Sequence, residues 1–402
     1  MTVHRPFDPP GLPAPDAAAR AHGERVLAMI HREIDAAGGC IDFARYMDLA
    51  LHAPGLGYYS AGSTKFGAAG DFVTAPELSP LFAACLARQV AEVLAAMGGG
   101  AVMEIGAGSG ALAMGLLAEL ERLGAAPERY LILETSAELR ERQAASLRQA
   151  VPAAVDRVEW VDRLPDGGFR GIMLANELLD AMPVHRLLRD SSGALLEACV
   201  RREGAGLEWG VREPGNARLA ERVDAIVAGL DPVAFESGYC FEINLAMEGW
   251  LASAAAALES GMLLLVDYGY PRREYYHPER RAGTLMCHYR HRAHGDPLVL
   301  PGLQDITAHI DFTALAEAGW QCGLDLCGYT TQAWFLFGCG LQELAAQRMS
   351  SASTLDAAKI AQQVQRLTLP GEMGEKFKVI AWRREVAIAP SGFALRDERY
   401  RL

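Results

Sequence analysis

From residue 101 onward, short apolar runs alternate with longer segments in which apolar residues recur at helical spacing. Helical spacing covers residues 110–123 and 136–149, and again 331–348 and 353–367 near the end of the chain. The apolar runs have the length of strands, and in chain order they are VMEI, YLILE, VEWV, GIMLAN, MLLLVD and FKVIAWRRE. Because strands that alternate with helices form parallel sheets covered on both faces, this pattern predicts an α/β fold.

The segment before this core has a different pattern. Residues 24–52 have helical spacing in two pieces, and another apolar helix is predicted at 78–97. Between them lies a glycine-rich stretch that is too long for an ordinary connection, which is typical of a lid or a binding loop. We expect this lid loop to close over a ligand, with Asp71, Phe72 and Thr74 near that ligand.

The regular alternation stops after Asn176. Residues 185–211 have the pattern of a small antiparallel meander, and the next core strand begins only at Met262. A simple crossover between parallel strands needs about a third of that length, so we predict an inserted subdomain. The predicted division is an N-terminal helical extension with the lid loop at 1–97, a core at 98–176 and 261–390, and an inserted subdomain at 177–260.

Composition narrows the classes of function. The 402 residues include 38 basic and 50 acidic ones, and the net charge of −12 argues against nucleic-acid binding, which needs a basic face. The 8 cysteines include no CxxC pair, which favours a reducing compartment over disulfides or a zinc site. No apolar run reaches membrane-spanning length, and the N-terminus lacks a signal or transit pattern. We therefore predict a cytoplasmic protein with no metal ion, no nucleic-acid partner and no membrane insertion.

The strand VMEI leads directly into a glycine-rich turn, GAGSG, and then into a helix. Gly106, Gly108 and Gly110 let the backbone approach a nucleotide-like ligand closely. The spacing can also be aligned with the fingerprint of nicotinamide dinucleotides, which alone is a weak signal. Glu104 favours S-adenosylmethionine (SAM), because its carboxylate would repel a pyrophosphate but attract the ammonium and sulfonium groups of SAM.

Two further acids follow the next two strands. Glu134 ends YLILE, where a carboxylate can accept hydrogen bonds from both ribose hydroxyls, and we group the adjacent Thr135 with it. This position serves NAD and SAM equally, so it indicates a nucleoside without choosing between them. Asp162 follows VEWV and is suitably placed to meet the adenine amino group. An Asp that caps a turn or helix before RLPDGG is the alternative for that position.

Eight segments carry a resemblance to a known family: GDFVTAPELSPLF (70–82), EIGAGSGAL (104–112), ETSAELRERQ (134–143), ANELLDAMPVHR (175–186), VDYGY (266–270), GTLMCHYRHRAHGDPLVLPGLQDITAHIDF (283–312), TTQAWFL (330–336) and GEMGEKFKVI (371–380). In these segments the chain resembles the MidA family of SAM-dependent methyltransferases, which includes the mitochondrial arginine methyltransferase needed for complex I assembly. The family often has Gly-Pro-Gly in the turn where this chain has Ala107. The resemblance implies a class I seven-strand, Rossmann-like core, SAM as methyl donor, and an arginine of a complex I subunit or a similar protein as substrate.

The segment ANELLDAMP follows the fourth strand, and ligands of open α/β sheets bind beyond the carboxyl ends of strands. Asn176 and Glu177 should therefore face the methyl group that is transferred. Glu177 and Asp180 offer two carboxylates within one turn, which could hold the planar fork of a guanidinium. The alternative is a helix-capping cluster, with Asn176 as the cap and the acids at the positive end of the helix.

The segment CHYRHRAHGDP contains one cysteine and three histidines, at Cys287, His288, His291 and His294. Histidines three apart with no flanking carboxylate pattern are a weak metal signal, so we predict a loop around the substrate instead. Asp305 and His309 precede a helix and could line the same pocket, although His309 could also simply be packed. Asp311 resembles an N-cap for a helix at 312–318.

The predicted function is a SAM-dependent methyltransferase that acts on a protein arginine. Two alternatives stay open: a non-catalytic SAM-binding assembly chaperone, and an NAD-dependent oxidoreductase on a similar core. Glu104 counts against the oxidoreductase. The glycines, Glu104 and Glu134 together count against a chaperone that has lost SAM binding, but they do not establish turnover.

Overall fold

The computed structural model describes residues 6–60, 74–230 and 237–402, which form two compact units. The first unit is drawn from Met1–Phe72, Leu179–Glu248 and Tyr270–Asp311, and the second from Val73–Leu178, Gly249–Gly269 and Phe312–Leu402. This grouping differs from the division drawn from the sequence, which assigns residues 73–97 to the extension and residues 270–311 to the core. The apolar helix at 80–97 contributes to the hydrophobic core of the second unit, and that is why it groups there.

Fourteen α-helices and sixteen strands lie within the described residues. The helices are α1 (Ala17–Ala36), α2 (Phe43–His52), α3 (Ala75–Leu78), α4 (Pro80–Met97), α5 (Ala111–Arg122), α6 (Ala137–Ala150), α7 (Ala217–Ala228), α8 (Leu245–Ala257), α9 (Arg272–Tyr275), α10 (Phe312–Gln321), α11 (Gln332–Gly338), α12 (Leu341–Ser350), α13 (Thr354–Thr368) and α14 (Met373–Lys376). The strands are β1 (Cys40–Asp42), β2 (Ala101–Ile105), β3 (Tyr130–Leu133), β4 (Val158–Val161), β5 (Phe169–Asn176), β6 (His185–Arg189), β7 (Leu195–Glu203), β8 (Gly206–Arg212), β9 (Cys240–Ile243), β10 (Leu258–Tyr270), β11 (Met286–Tyr289), β12 (Arg292–His294), β13 (Asp305–Thr307), β14 (Ile310–Asp311), β15 (Asp325–Thr331) and β16 (Phe377–Arg384).

Seven strands of the second unit form one sheet in the order β15-β16-β10-β5-β2-β3-β4. The five strands from β10 to β4 are parallel, and β16 runs antiparallel to both β10 and β15. The last strand in the chain thus lies between two strands that precede it. The predicted α/β class and seven-strand, Rossmann-like core are confirmed.

The inner strands are continuous apolar runs because helices cover both faces of a parallel sheet. Two glycines allow these strands to pack closely where they begin. A Cβ atom at Gly171 would lie 1.8 Å from the carbonyl oxygen of Ala101, and one at Gly261 would lie 1.8 Å from that of Gly171. Any larger residue would therefore separate β5 from its neighbours at these two positions.

Helix α4 is long and apolar enough to cross a membrane by length and composition alone, which the sequence analysis did not anticipate. Most of its residues, from Leu81 to Leu94, are buried in the core of the second unit. The predicted helix at 331–348 is split into α11 and α12 at Cys339 and Gly340. Gly340 has a φ of +83°, a left-handed conformation that interrupts an α-helix.

In the first unit, the predicted meander at 185–211 is present as the antiparallel strands β6, β7 and β8. The sheet to which they belong also contains β9, which pairs with β6, and the N-terminal strand β1, which pairs with β7. A second sheet of this unit has the order β12-β11-β13. Helices α1 and α2 supply many of the buried apolar side chains of this unit, including Ile30 and Phe43.

Candidate cofactor site

Three parallel strands of the second unit end at the same edge of the sheet. The pairing register aligns the carboxyl ends of β2, β3 and β5. Gly106, Glu134 and Asn176 follow the aligned positions and therefore form one row along this edge. Ligands of open α/β sheets bind just beyond this edge, so the row marks the candidate site.

The glycine turn follows β2 at this edge. Gly106, Gly108 and Gly110 have φ values of +75°, +53° and +80°, all in the left-handed region that favours glycine. Gly110 is also the N-cap of α5. A Cβ atom at Gly110 would lie 3.4 Å from the side chain of Gln143, an ordinary van der Waals distance, so the backbone conformation and not the packing against α6 favours glycine here. The left-handed backbone therefore favours glycine at these three positions, in addition to the close approach of a ligand that the sequence predicts.

Glu104 lies within β2 and is 3% exposed. The Tyr130 hydroxyl donates a hydrogen bond to its Oε2 atom at 2.5 Å. Burial raises the pKa of Glu104 to about 7, although the Tyr130 hydrogen bond lowers it in part. A buried carboxyl group becomes ionised more readily when a cation binds beside it. The turn and Glu104 thus fit SAM, whose charged groups are an ammonium and a sulfonium.

Glu134 lies just after β3, and its carboxylate is held by two protein donors. The backbone N–H of Ser136 donates to Oε1 at 2.9 Å, and Nε2 of Gln143 donates to Oε2 at 3.3 Å. A carboxylate oxygen has two acceptor positions, so each oxygen of Glu134 retains one for a ribose hydroxyl. The adjacent Thr135 is exposed.

The exit of β5 has an unusual backbone. Asn176 is the last residue of this strand, and Glu177 has a φ of +51°, which is uncommon for a residue other than glycine. Such strained conformations cluster at functional sites. The Glu177 backbone N–H donates to the carbonyl of Val266 at 2.9 Å, and Asn176 Nδ2 donates to Glu177 Oε1 at 3.1 Å. The buried Oδ1 of Asn176 has no hydrogen-bond partner among the described residues.

The alternative of a helix-capping cluster at this exit is wrong. The next regular element after β5 is strand β6, so Asn176 caps no helix. The left-handed backbone at Glu177 and the proline at Pro183 both oppose a helix here. Asp180 is consequently not one helical turn from Glu177.

Asp180 belongs to the first unit and is 5% exposed. Its backbone carbonyl accepts a hydrogen bond from the N–H of Ala308. In the same unit, the Tyr59 hydroxyl donates to Asp305 Oδ1 at 2.7 Å. Burial raises the pKa of Tyr59 well above its usual value, and the charges of Asp305 and Asp180 add to this effect. Asp180 and Asp305 are therefore two buried acids near one tyrosine.

The remaining residues predicted for cofactor binding have varied surroundings. Asp162 is exposed on the loop after β4 and lines an open cavity of about 840 Å³ together with Trp160 and Arg163. Thr74 is the N-cap of α3 and forms a capping box with Glu77. Asp71 and Phe72 lie outside the described residues. The lid loop therefore stays a prediction.

The cysteine- and histidine-containing segment forms the β11–β12 hairpin of the first unit, in which Cys287 pairs across the strands with His294. His288 lies on β11, and His291 lies in the turn with a φ of +60°. Burial raises the pKa of the Cys287 thiol. Within the described part of the chain, no three His, Cys, Asp or Glu side chains are grouped to hold a metal ion.

The sequence also gave predictions for His309 and Asp311, which belong to the first unit. His309 Nδ1 lies 3.3 Å from the carbonyl oxygen of Thr284, and its ring stacks on Tyr270 at a centroid distance of 5.3 Å. Asp311 directly precedes α10, as predicted for a cap, and its Oδ2 lies 3.4 Å from Nε of Arg272.

Gln143 is a site residue that was not predicted from the sequence; it is fully buried in α6 and hydrogen-bonded to both the glycine turn and Glu134. One signal was available in the helical spacing. Gln143 lies four residues before the buried Leu147, so it occupies the inward face of α6. A polar side chain on the buried face of the helix after Glu134 needs hydrogen-bond partners. The nearest polar groups are those at the ends of the neighbouring strands.

The fold and this edge of the sheet define a class of protein. A family model described as S-adenosyl-L-methionine-dependent methyltransferase matches residues 85–330. The chain belongs to this family, and SAM is its cofactor. An NAD-dependent oxidoreductase is thereby excluded, and the family resemblance found in the sequence is confirmed.

One solved structure and two named relatives are similar to this chain over most of its length. A crystal structure of a protein from Burkholderia thailandensis with bound S-adenosyl-homocysteine is 45% identical, covers 97% of this chain and 100% of that one, and gives a TM-score of 0.90. A Danio rerio protein named protein arginine methyltransferase NDUFAF7, mitochondrial, is 30% identical over 85% of this chain and 83% of its own length. Its Drosophila melanogaster homolog is 29% identical over 91% of this chain and 87% of its own length. The Danio rerio and Drosophila melanogaster relatives are named as mitochondrial, which contradicts the predicted cytoplasmic localisation.

Proposed function

We propose that the protein methylates an arginine side chain of another protein. The observation that carries the proposal is the strained exit of β5, where Glu177 has a φ of +51° and accepts a hydrogen bond from Asn176. Similarity over most of the chain to relatives named protein arginine methyltransferases supports the same substrate class.

We assign three features of the second unit to cofactor binding. Glu104 attracts the positive charge of SAM, Glu134 accepts the ribose hydroxyls, and the glycine turn allows the backbone to approach. When bound, SAM supplies a methyl group on a sulfonium, ready for displacement. Methyl transfer of this kind is assisted mainly by alignment and electrostatics, so the protein needs no covalent chemistry of its own.

The substrate half of the proposal assigns Glu177 to the guanidinium. A guanidinium is charged at neutral pH, and its electron density is shared among three nitrogens. A carboxylate that binds two of these nitrogens draws the positive charge towards itself and leaves more electron density on the third. Asn176 keeps the Glu177 carboxylate in place through the hydrogen bond at 3.1 Å. The pairing of Glu177 with Asp180 stays a prediction from the sequence.

The family resemblance supports a proposal for the substrate protein. We propose a subunit of respiratory complex I, or a similar protein with an accessible arginine. The excess of 50 acidic over 38 basic residues is compatible with a cationic substrate.

A charge-neutral substitution of the carboxylate tests the role of Glu177. Glu177→Gln should lower the rate of peptide methylation roughly a hundredfold, which corresponds to about 2.7 kcal/mol in the barrier. Its affinity for S-adenosyl-homocysteine should stay within about twofold of wild type, because the cofactor contacts come from Glu104, Glu134 and the turn. Glu141→Gln, on the exposed face of α6, is the matched control and should retain full activity. Full activity of Glu177→Gln would refute the assigned role.

The same assay separates the chaperone alternative. A non-catalytic SAM-binding protein would bind S-adenosyl-homocysteine but transfer no methyl group, in the wild type as in the variant. Binding without turnover on any substrate fraction would therefore favour a chaperone over an enzyme.

A further inference from the structure

We propose that Gln143 is a positioning residue that orients the ribose-binding carboxylate and the glycine turn together. The inference rests on the proposed role of Glu134 and concerns a residue that the cofactor does not need to touch. Gln143 lies in α6 and has no exposed surface. Its amide connects three segments that follow or form different strands of the sheet.

The three contacts use the whole amide. Nε2 donates to the carbonyl oxygen of Gly108 at 2.9 Å and to Glu134 Oε2 at 3.3 Å. Oε1 accepts a hydrogen bond from the indole N–H of Trp160 at 2.9 Å. The Gly108 carbonyl belongs to the turn after β2, Glu134 follows β3, and Trp160 lies in β4.

Trp160 fixes the orientation of this amide. An indole N–H can only donate, so the amide oxygen of Gln143 must face Trp160. The amide nitrogen then faces two accepting groups, the Gly108 carbonyl oxygen and the Glu134 carboxylate. The reverse orientation would place oxygen against two acceptors and nitrogen against a donor. The network therefore permits one arrangement.

This arrangement has a consequence for ribose recognition. The carboxylate of Glu134 is held at one oxygen by the Ser136 N–H and at the other by Gln143, so its plane is fixed. A fixed plane presents the remaining acceptor positions of both oxygens to two neighbouring hydroxyls. Without Gln143 the carboxylate can turn about its side-chain bonds, and the cost of ordering it falls on cofactor binding.

The glycine turn depends on the same side chain. Gly108 has a φ of +53°, and its carbonyl is restrained by the amide of Gln143. A Cβ atom at Gly110 would approach the Cγ of Gln143 to 3.4 Å, so the turn and α6 are already in close contact. Gln143 thus holds the glycine turn and the Glu134 carboxylate in a fixed relative position.

The test is the ratio of two affinities measured by isothermal titration calorimetry. The two ligands are S-adenosyl-homocysteine and its 2′,3′-dideoxy analogue, which lacks both ribose hydroxyls. Wild type should bind S-adenosyl-homocysteine at least tenfold more tightly than the analogue. In Gln143→Met, which keeps the length of the side chain but removes its hydrogen bonds, this preference should fall to about threefold or less.

Three comparisons separate positioning from general destabilisation. Leu147→Ala removes a buried side chain from the same face of α6, and should lower the melting temperature but keep the ribose preference. Gln149→Met, on the exposed part of α6, should change neither quantity. Trp160→Phe removes the donor that orients the amide without touching Glu134, and should lower the preference even if Gln143→Met does not fold.

The outcomes distinguish this inference from the proposed function. A wild-type protein with no ribose preference would overturn the role of Glu134 and the inference with it. A normal wild-type preference that persists in both Gln143→Met and Trp160→Phe would overturn the inference alone. A preference lost equally in Leu147→Ala would show a merely structural role and would also overturn it.

Discussion

Replacing Glu104 by glutamine should stabilise the unliganded protein at alkaline pH while weakening its affinity for SAM. The buried carboxyl has its pKa raised from 4.5 to about 7, and burial is the main cause. Glutamine keeps the shape and can still accept the hydrogen bond from Tyr130. The substitution therefore removes a charge and little else.

The magnitude follows from the two pKa values. Raising the pKa of an acid from 4.5 to about 7 disfavours its charged form in the folded state by about 3 kcal/mol. Since the folded-state pKa is the higher one, the wild type has its full stability below pH 4.5 and loses it as pH rises through about 7. The variant has no such loss.

The assay is thermal unfolding of wild type and Glu104→Gln, without ligand, from pH 5 to pH 8. The melting temperature of the variant should exceed that of wild type by an amount that grows with pH, reaching roughly 5 °C at pH 8. Glu138→Gln, in the exposed first turn of α6, is the control and should show no such trend. Because wild type and Glu104→Gln share all other titrating groups, the difference between their melting temperatures reports on Glu104 alone.

Ligand binding should respond in the opposite direction. SAM binding to wild type requires ionised Glu104, so affinity should fall as pH drops below about 7, by up to tenfold per pH unit. In Glu104→Gln the affinity should be roughly thirtyfold lower at pH 8, which is a loss of about 2 kcal/mol from a charge-assisted contact, and nearly independent of pH. A variant that is less stable at pH 8 and binds SAM as well as wild type would refute the reasoning.

Further substitutions address other parts of the site. Tyr130→Phe removes the hydrogen bond that lowers the Glu104 pKa, so the midpoint for SAM binding, measured by calorimetry, should move to higher pH. Gly110→Ala places a side chain at a φ of +80° and against Gln143, and should lower stability by about 1 kcal/mol or more in chemical denaturation. Asp180→Asn should slow methylation without changing S-adenosyl-homocysteine affinity if the sequence-based pairing with Glu177 is right, and unchanged kinetics would remove Asp180 from the reaction.

Much of the second unit could be predicted from the sequence because its strands are buried on both faces. Such strands are continuous apolar runs, and acids within them or directly after them stand out against that background. Glu104 and Glu134 were found in this way, and both lie at or near the carboxyl edge of the sheet. Strand β15 was missed because its sequence, DLCGYTT, has few large apolar residues and a glycine that packs against Phe393.

Other features depend on contacts that no local pattern contains. The short strand β1 pairs with β7, more than 150 residues later, so the composition of the first unit could not be derived from an uninterrupted segment. The left-handed backbone at Glu177 occurs at a residue other than glycine, so the sequence does not indicate it, and a helix was expected there as one alternative. Gln143 was overlooked because its partners come from three separate segments.

The most direct test of the central claim is to identify the residue that receives the methyl group. The purified protein is incubated with SAM carrying an isotopically labelled methyl group and with a cell extract, and the labelled peptides are sequenced by mass spectrometry. We expect label on an arginine side chain with wild type, roughly a hundredfold slower labelling with Glu177→Gln, and full labelling with Glu141→Gln. Label on lysine, on a carboxylate or only on small molecules would contradict the arginine assignment, and no label in any fraction would contradict an enzyme.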